Sequence, residues 1–439
     1  MKVKFSRCCG IDVHKDRLTA CVLILETDGR QVVRKKEFET HIRGLENLRL
    51  WLYANKVMQV AMESTGVYWK PVWNVLNGHF GLLLVNPHHM HNIPGRKTDA
   101  ADSEWIADLL AHGLLKPSFV PPTEIQDLRD WTRYRVKLVG ERNRVHNRIG
   151  KVLEDTNLKL GSVVSDILGV TGRLILDAIV KGQQDPGWLA DYARGSLRCK
   201  KEALKKVLRG RVRQHHRDVL TELMEDMRRV EEKISRVEAK LAVLMEPYAE
   251  QVTRLMTIPG VDVLTAWTIV AELGVDMSKF PSSKHAASWA GLVPGSNESA
   301  GKRKRARTRH GNVWLRRALS QSAWVVSRKK DCYLTAVFRR RSRGEGGKKR
   351  ATMATAHQIL VIAYCILRDG SVYRELGGDY FDKLNPARVL KRITKRAERL
   401  GYAVKLEALG VLVEPIGPKR PRGRPRKAQP AVSDGLIGP

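Results

Sequence analysis

Seven apolar residues, Leu223, Met227, Val230, Ile234, Val237, Leu241 and Leu244, follow one another in alternating steps of four and three. Only a helix brings that spacing onto one face, and a seven-residue repeat is the seam along which helices pack. The flanking positions are charged. Pro247 ends the run, because its ring and missing N–H stop a helix. The seam needs a partner: either a coiled-coil contact, within or between chains, or packing inside the helix's own domain. The region around it, 116–250, is charged and poor in strand signal, and reads as a helical linker containing coiled coil.

Residues 1–115 have a different character. "CCGIDVHKDRLTACVLIL" alternates and is rich in β-branched residues, as strands are. Asp28-Gly29 between two such runs is a hairpin signal, and "VVRKKEFET" reads as the third strand. A helix is expected in "GLENLRLWLYAN", a strand ending at Glu63 in "VMQVAME", a helix in "VYWKPVWNVLNG" and a buried strand in "FGLLLVNP". Hairpins followed by strand–helix alternation predict a mixed sheet with helices on its faces.

From 251 to 372 the chain reads as mostly α-helical. "RLMTIPGVDVLTAWTIVAELG" predicts two helices about an Ile-Pro-Gly-Val turn, a helix–hairpin–helix-like motif that presents backbone N–H groups to a phosphate. "AASWAGLV", "VWLRRALSQSAWVV" and "MATAHQILVIAYCIL" supply further helices, and "VFRRRSRGEGGKKR" reads as a basic, Gly-containing loop. Residues 373–439 form a charged extension whose tail contains Pro421-Arg422-Gly423-Arg424-Pro425. Extended Arg-Gly-Arg resembles an AT-hook, with Arg422 and Arg424 narrow enough for an A·T minor groove.

The charge balance narrows the partner. Lys and Arg number 79 against 46 Asp and Glu, a net charge of +33. Such an excess repels itself unless a polyanion offsets it, and nucleic acid does so with counterion release. No apolar run approaches the ~18 residues of a transmembrane span, and "MKVKFSRCCGIDVHK" lacks a secretory apolar core. The expectation is therefore a cytoplasmic protein with no membrane. The six cysteines form no C-x-x-C pair, so they read as reduced thiols.

In so basic a chain, carboxylates in apolar settings are notable. Asp12 stands two residues after a glycine on the first strand, Glu63 ends a later strand, and Asp99 and Asp102 stand three apart in "GRKTDAADSEWIADLL". That spacing puts the two aspartates on about one face of a helix's first turn, with Thr98 or Asp99 as its cap. Strand-end and helix-borne acids can converge on Mg²⁺, which takes oxygen ligands. Two such ions about 4 Å apart serve both oxygens of a phosphodiester displacement. His88, His89 and His91 lack a completing ligand motif and read as surface residues.

A second candidate is "PGSNESAGKRKRARTRHG", two serines followed by Lys302, Arg303, Lys304, Arg305, Arg307 and Arg309. The basic run suits a phosphate backbone. Gly295, Asn297 and Gly301 are turn residues that let the loop move.

"GIDVHKDRLTACVL", "AMESTGVYWKPV", "VNPHHMHNIPGRKTDAADSEWIADLL", "LMTIPGVDVLTAWTIVAELG" and "WAGLVPGSNESAGKRKRARTRHGNVWLRRAL" together resemble the DEDD transposases of insertion sequences, related to the Piv-type DNA invertases. The five motifs stand in order across roughly 1–115 and 250–370. The resemblance implies a RuvC-like RNase H fold at 1–115 whose acidic tetrad is Asp12, Glu63, Asp99 and Asp102, with Mg²⁺ as cofactor. It implies a transposase domain at 251–372 contributing a catalytic serine, Ser299 by position, with Ser296 its rival. It also implies a homo-oligomer, double-stranded DNA as substrate, and a structured noncoding guide RNA.

The expected chemistry is serine attack on DNA phosphodiesters with a phosphoserine link that stores the bond energy. Two other functions fit parts of the pattern. A RuvC-like nuclease or junction resolvase would use the same acids with water as nucleophile. A non-enzymatic architectural protein would rely on the tail and the helix–hairpin–helix-like turn, and would keep its activity without Asp12 or Glu63.

Overall fold

The computed structural model describes residues 3–26, 30–64, 66–86, 102–295, 298–299, 301–303, 308, 310–344 and 346–405; at 298, 299, 302 and 303 it describes the backbone. The chain divides into two compact units, Met1–Pro122 and Thr123–Pro439.

In the first unit, β1 (Arg7–Val13), β2 (Arg17–Leu25) and β3 (Gln31–Glu39) form an antiparallel meander. Asp28-Gly29 lies outside the described residues, but the strands it joins pair down to Leu25 and Gln31. Helix α1 (Ile42–Ala54) leads to β4 (Gln59–Glu63), and α2 (Trp69–Leu76) to β5 (Gly81–Val85). β4 and β5 add in parallel on the other side of β1, giving the order β3-β2-β1-β4-β5. Helix α3 (Asp102–Ala111) completes the unit.

Strand periodicity divides the core in two. Cys9, Ile11, Val13, Val60 and Met62 point to one face, where Leu45, Leu48 and Leu52 of α1 and Val72 and Leu76 of α2 cover them. Cys8, Cys21, Leu23 and Ala61 point to the other, under Ile106, Leu109 and Leu110 of α3. The result is helices, mixed sheet and helix in three layers, which is the arrangement the alternation predicts.

Among its described residues, the second unit is helical except for a small hairpin. Two long helices, α4 (Thr123–Asp155) and, after an insertion, α8 (Gln214–Met245), pack along each other. Arg135 pairs with Glu238 at 2.6 Å near one end and Asp155 with His216 at 3.1 Å near the other, so they run antiparallel. The seven-residue seam faces inward: Met227, Ile234, Val237 and Leu241 are buried within the chain. The insertion contributes α5 (Val170–Val180), α6 (Pro186–Ala190) and α7 (Lys201–Val207). Ile175, Leu176, Leu189 and Leu204 build a core with Ile149 and Leu153 of α4 and Leu220 and Met224 of α8.

Beyond Pro247 come α9 (Ala249–Met256) and α10 (Val263–Leu273), joined through Ile258-Pro259-Gly260-Val261. Gly260 adopts φ +83°, and a Cβ there would meet the Ser322 carbonyl oxygen at 2.8 Å. Only glycine takes both conditions without strain. Asp262 caps α10, its Oδ1 accepting from the Thr265 amide at 2.8 Å. Then follow α11 (Ser283–Trp289), α12 (Val313–Val326), α13 (Tyr333–Ser342) and α14 (Gly347–Asp369), with α14 packed against α9, α11, α12 and α13.

The basic stretch expected as a loop at 337–350 is mostly helix. α13 runs through Ser342 and α14 starts at Gly347. Arg and Lys are good helix formers, and Gly346 at φ +91° makes the break between the two helices. Unlike the sequence expectation, α14 is long and apolar enough to cross a membrane by length and composition. Its buried face, with Ala356, Ile359, Leu360 and Ala363, belongs to the core of this unit. Last come α15 (Tyr380–Lys383) and α16 (Pro386–Arg399). The AT-hook-like segment with Arg422 and Arg424 lies outside the described residues.

Candidate functional site

The first candidate is built on the carboxyl ends of β1 and β4. These strands are parallel neighbours with Ile11 opposite Met62. One step further along stand Asp12 and Glu63. Because side chains alternate, Asp12 shares the face of Cys8 and Gly10, and Glu63 the face of Ala61. Cys8 and Ala61 both lie under α3. The two acids therefore sit on the α3 side of the sheet, at one edge.

Helix α3 is held close to that edge by Gly10. A Cβ on Gly10 would meet the Ser103 carbonyl oxygen at 2.2 Å and the Ala107 amide nitrogen at 2.4 Å, so helix backbone rests directly on strand backbone. The direction of α3 follows from three contacts. The amides of Lys4 and Phe5, before β1, donate to the Ala111 carbonyl at 2.8 and 3.1 Å. The Cys8 thiol donates to the Ala107 carbonyl at 3.4 Å. Gly10 lies at Ser103. Helix and strand thus run antiparallel, and the first residue of α3, Asp102, is turned towards the end of β1 that carries Asp12.

The Asp12 carboxylate is 19% exposed and lies 3.1 Å from His14 Nε2. Glu104, also in the first turn of α3, is engaged elsewhere: it pairs with Lys35 of β3 at 2.5 Å, and the hydrogen bond from this lysine to Glu104 raises the lysine's pKa. The expected fourth acid, Asp99, lies outside the described residues. Among the described residues, no group of three or more His, Cys, Asp or Glu is assembled closely enough to hold a metal. The donors that do share this edge are carboxylates in a partly open setting, which suits a hard cation retaining water.

The second candidate lies in the second unit. β6 (Glu298–Ser299) pairs antiparallel with β7 (Lys302–Arg303), with Ser299 opposite Lys302 and Gly301 at φ +73° in the turn. An isolated bridge between Pro294 and Thr308 closes the base. Below it the two arms pass at backbone contact: a Cβ on Gly311 would meet the Gly291 amide nitrogen at 2.3 Å. The Asn312 amide donates to the Trp289 carbonyl at 3.1 Å. Lys304, Arg305, Arg307, Arg309 and the rival Ser296 lie outside the described residues.

The exit of this hairpin is fastened to a buried charge. Asn312 caps α12, its Oδ1 accepting from the Trp314 and Leu315 amides at 3.1 and 2.9 Å. Its Nδ2 donates to Glu272 at 2.6 Å. Glu272 is fully buried on α10 and takes a two-pronged hydrogen bond from Arg133 of α4, 2.8 Å to each oxygen. Arg129 adds donors to the carbonyls of Ala271 and Glu272 at 2.9 and 2.5 Å. Burial pulls the Arg129 guanidinium down to about 10, with Glu272 opposing, so it remains charged at neutral pH. One carboxylate thereby joins α4, α10 and the root of α12. The sequence signal for Glu272 was present, a lone acid in the apolar run "VLTAWTIVAELG".

Comparison with known proteins places both units. A transposase family model of the DEDD, IS110 type matches residues 9–158. A second, described as "Transposase IS116/IS110/IS902 family", matches 252–337. The transposase for insertion sequence element IS1111A of Coxiella burnetii is 25% identical, over 83% of this chain and 90% of its own length. The pilin gene-inverting protein of Moraxella bovis is 22% identical over 82% of this chain and 95% of its own. Among solved structures, Thermus thermophilus RuvC aligns over 26% of this chain and 99% of its own, at 14% identity and a TM-score of 0.20. With two family models matched in tandem and relatives spanning most of its length, this chain belongs to the IS116/IS110/IS902 family of transposases.

Proposed function

We propose that this transposase cuts and rejoins DNA with Ser299 as nucleophile, on an RNase H-type unit whose Asp12, Glu63, Asp99 and Asp102 hold Mg²⁺. The supporting observation is the shared edge: Asp12 and Glu63 one step beyond the Ile11–Met62 pair, with Asp102 turned towards them by the antiparallel run of α3. Bound there, the cation supplies Lewis-acid polarisation of the scissile phosphate.

The Ser299 hydroxyl gives up its proton to water and its oxygen attacks phosphorus, forming a Ser–O–P bond as the P–O bond to one DNA strand breaks. The departing oxygen takes up a proton as a hydroxyl. An incoming DNA hydroxyl reverses the exchange and regenerates serine, so no nucleotide cofactor is consumed. Lys302, Arg303, Lys304, Arg305, Arg307 and Arg309 hold the backbone near the serine. Arg422 and Arg424 supply a minor-groove contact at element ends or target. In this reading the enzyme acts as a homo-oligomer in the cytoplasm, on the nucleoid, with a structured noncoding RNA as guide.

The decisive experiment traps the protein–DNA adduct on a nicked substrate carrying the element end. The adduct forms in Mg²⁺, survives Ser296→Ala and disappears in Ser299→Ala and Asp12→Ala. Cleavage without any adduct in the parent protein overturns the serine mechanism in favour of water. Sequencing of RNA that co-purifies tests the guide: one discrete structured RNA encoded beside the gene supports it, and random cellular RNA refutes it.

A further inference from the structure

Beside the hairpin lies a cleft of about 420 Å³ lined by Thr308, Val313, Arg316, Arg317, Ser320 and Met353. Val313, Arg316, Arg317 and Ser320 recur at helical spacing on one face of α12, and Met353 faces them from the second turn of α14. Thr308 is the residue that bridges to Pro294 at the hairpin base. The cleft thus abuts the bridge at the base of the hairpin.

Its chemistry is one-sided. Arg316 is half-buried and Arg317 exposed, and neither has a carboxylate partner among the described residues. Other arginines of this unit are paired: Arg133 with Glu272, Arg135 with Glu238, Arg173 with Glu231. No acid occurs from Ser299 to Lys330, a stretch holding eleven Lys or Arg. Among the described residues, the Ser320 hydroxyl has the Met353 sulfur as its partner, at 3.8 Å. Two guanidiniums and two hydroxyls over an apolar floor make a receptor for a phosphodiester with its sugar. The volume is that of a small-ligand pocket.

We propose that this cleft binds a backbone phosphate of the DNA strand being cut, with Arg316 and Arg317 as its clamp, and so sets the strand's register against the hairpin. This rests on the DNA-recombinase reading above and names a binding subsite for it. Guanidinium forks take phosphate oxygens in pairs, which a point charge does not. The subsite reads no base sequence.

The test uses the full chain and a fluorescent duplex oligonucleotide, titrated at several salt concentrations. The Arg316→Gln/Arg317→Gln double variant is expected to bind about tenfold more weakly, with a salt slope smaller by about 2. A control pair just beyond the far end of α12, Arg328→Gln/Lys329→Gln, removes the same charge and is expected to keep parental binding. Thermal melts identify any variant that fails to fold, and Arg316→Lys/Arg317→Lys then takes its place, keeping the salt slope while losing affinity. Parental affinity and slope in the double variant overturn the proposal, as does an equal loss in the control pair. A loss confined to single-stranded RNA of the same length overturns the assignment to DNA. Binding is read without cleavage, so an absent Ser299 adduct refutes the serine mechanism and leaves the cleft to be judged by these titrations alone.

Discussion

Gly10 and Ser103 touch backbone to backbone: a single methyl on Gly10 would lie 2.2 Å from the Ser103 carbonyl oxygen. That contact lets α3 lie against β1 closely enough for Asp102 to approach the strand end bearing Asp12. Gly10→Ala is expected to destabilise the protein by about 3 kcal/mol, since the obstruction is backbone on both sides. Urea unfolding of parent and variant checks it; an unchanged midpoint means that α3 can shift freely.

Glu272 carries the second unit's most exacting polar arrangement. Removing it takes away the fully buried anion that Arg129 and Arg133 share, at a cost of about 3–5 kcal/mol. Asn312→Ala removes the α12 cap and one donor to Glu272 while leaving that ion pair, and costs less, about 1–2 kcal/mol. The order of denaturant midpoints, parent above Asn312→Ala above Glu272→Ala, is the outcome expected; the reverse order contradicts the clamp.

The cysteines should separate by reactivity. Burial pushes the Cys8 thiol up to about 12 and the Cys21 thiol up to about 11, and holds Cys9 far above the ordinary thiol range. All three stay protonated and enclosed at pH 8. Cys199 is exposed. Brief treatment of the native protein with iodoacetamide, read by peptide mass spectrometry, should label Cys199 and spare Cys8, Cys9 and Cys21. Early labelling of Cys8 would show that the α3 side of the sheet opens.

Glu375 gives an acid-sensitive contact near α13. Burial works to raise its carboxyl, but the Tyr333 and Gly377 amides, at 2.7 and 2.9 Å, outweigh that and hold it below the ordinary range. A carboxyl lowered in the folded state adds stability above its unfolded pKa, and that stability disappears as pH falls through the folded value. The stability gap between parent and Glu375→Gln, by urea unfolding, should be full at pH 6 and close by about pH 3. A gap independent of pH rejects the contact.

Much of this architecture was legible before any coordinates. The strand pattern placed Asp12 on the first strand and Glu63 at the end of a later one, and β4 does end at Glu63. The seven-residue seam required a long helix and a partner, and α4 is that partner. Local pattern reached no further. Glu272 and Arg133 are 139 residues apart, and nothing in the spacing of either announces the other. The Arg-rich stretch at 337–350 looked like a loop because charge suggested solvent, although its residues favour helix. Arg316 and Arg317 were hidden inside what read as an apolar helix, and their significance emerges only when Met353 and Thr308 are placed opposite them.

The α4–α8 pair also has a mechanical consequence. From Arg133, at the Glu272 clamp, to Asp155, at the tip, α4 rises about 33 Å at 1.5 Å per residue. A tilt of about 5° at the clamp sweeps the tip through about 3 Å. Because Asn312 shares that clamp, the same tilt strains the exit of the Ser299 hairpin. The stem is a lever pivoted at the clamp of Glu272, Arg133 and Asn312, so a tilt of the far bundle reaches, geared down, the root of the hairpin.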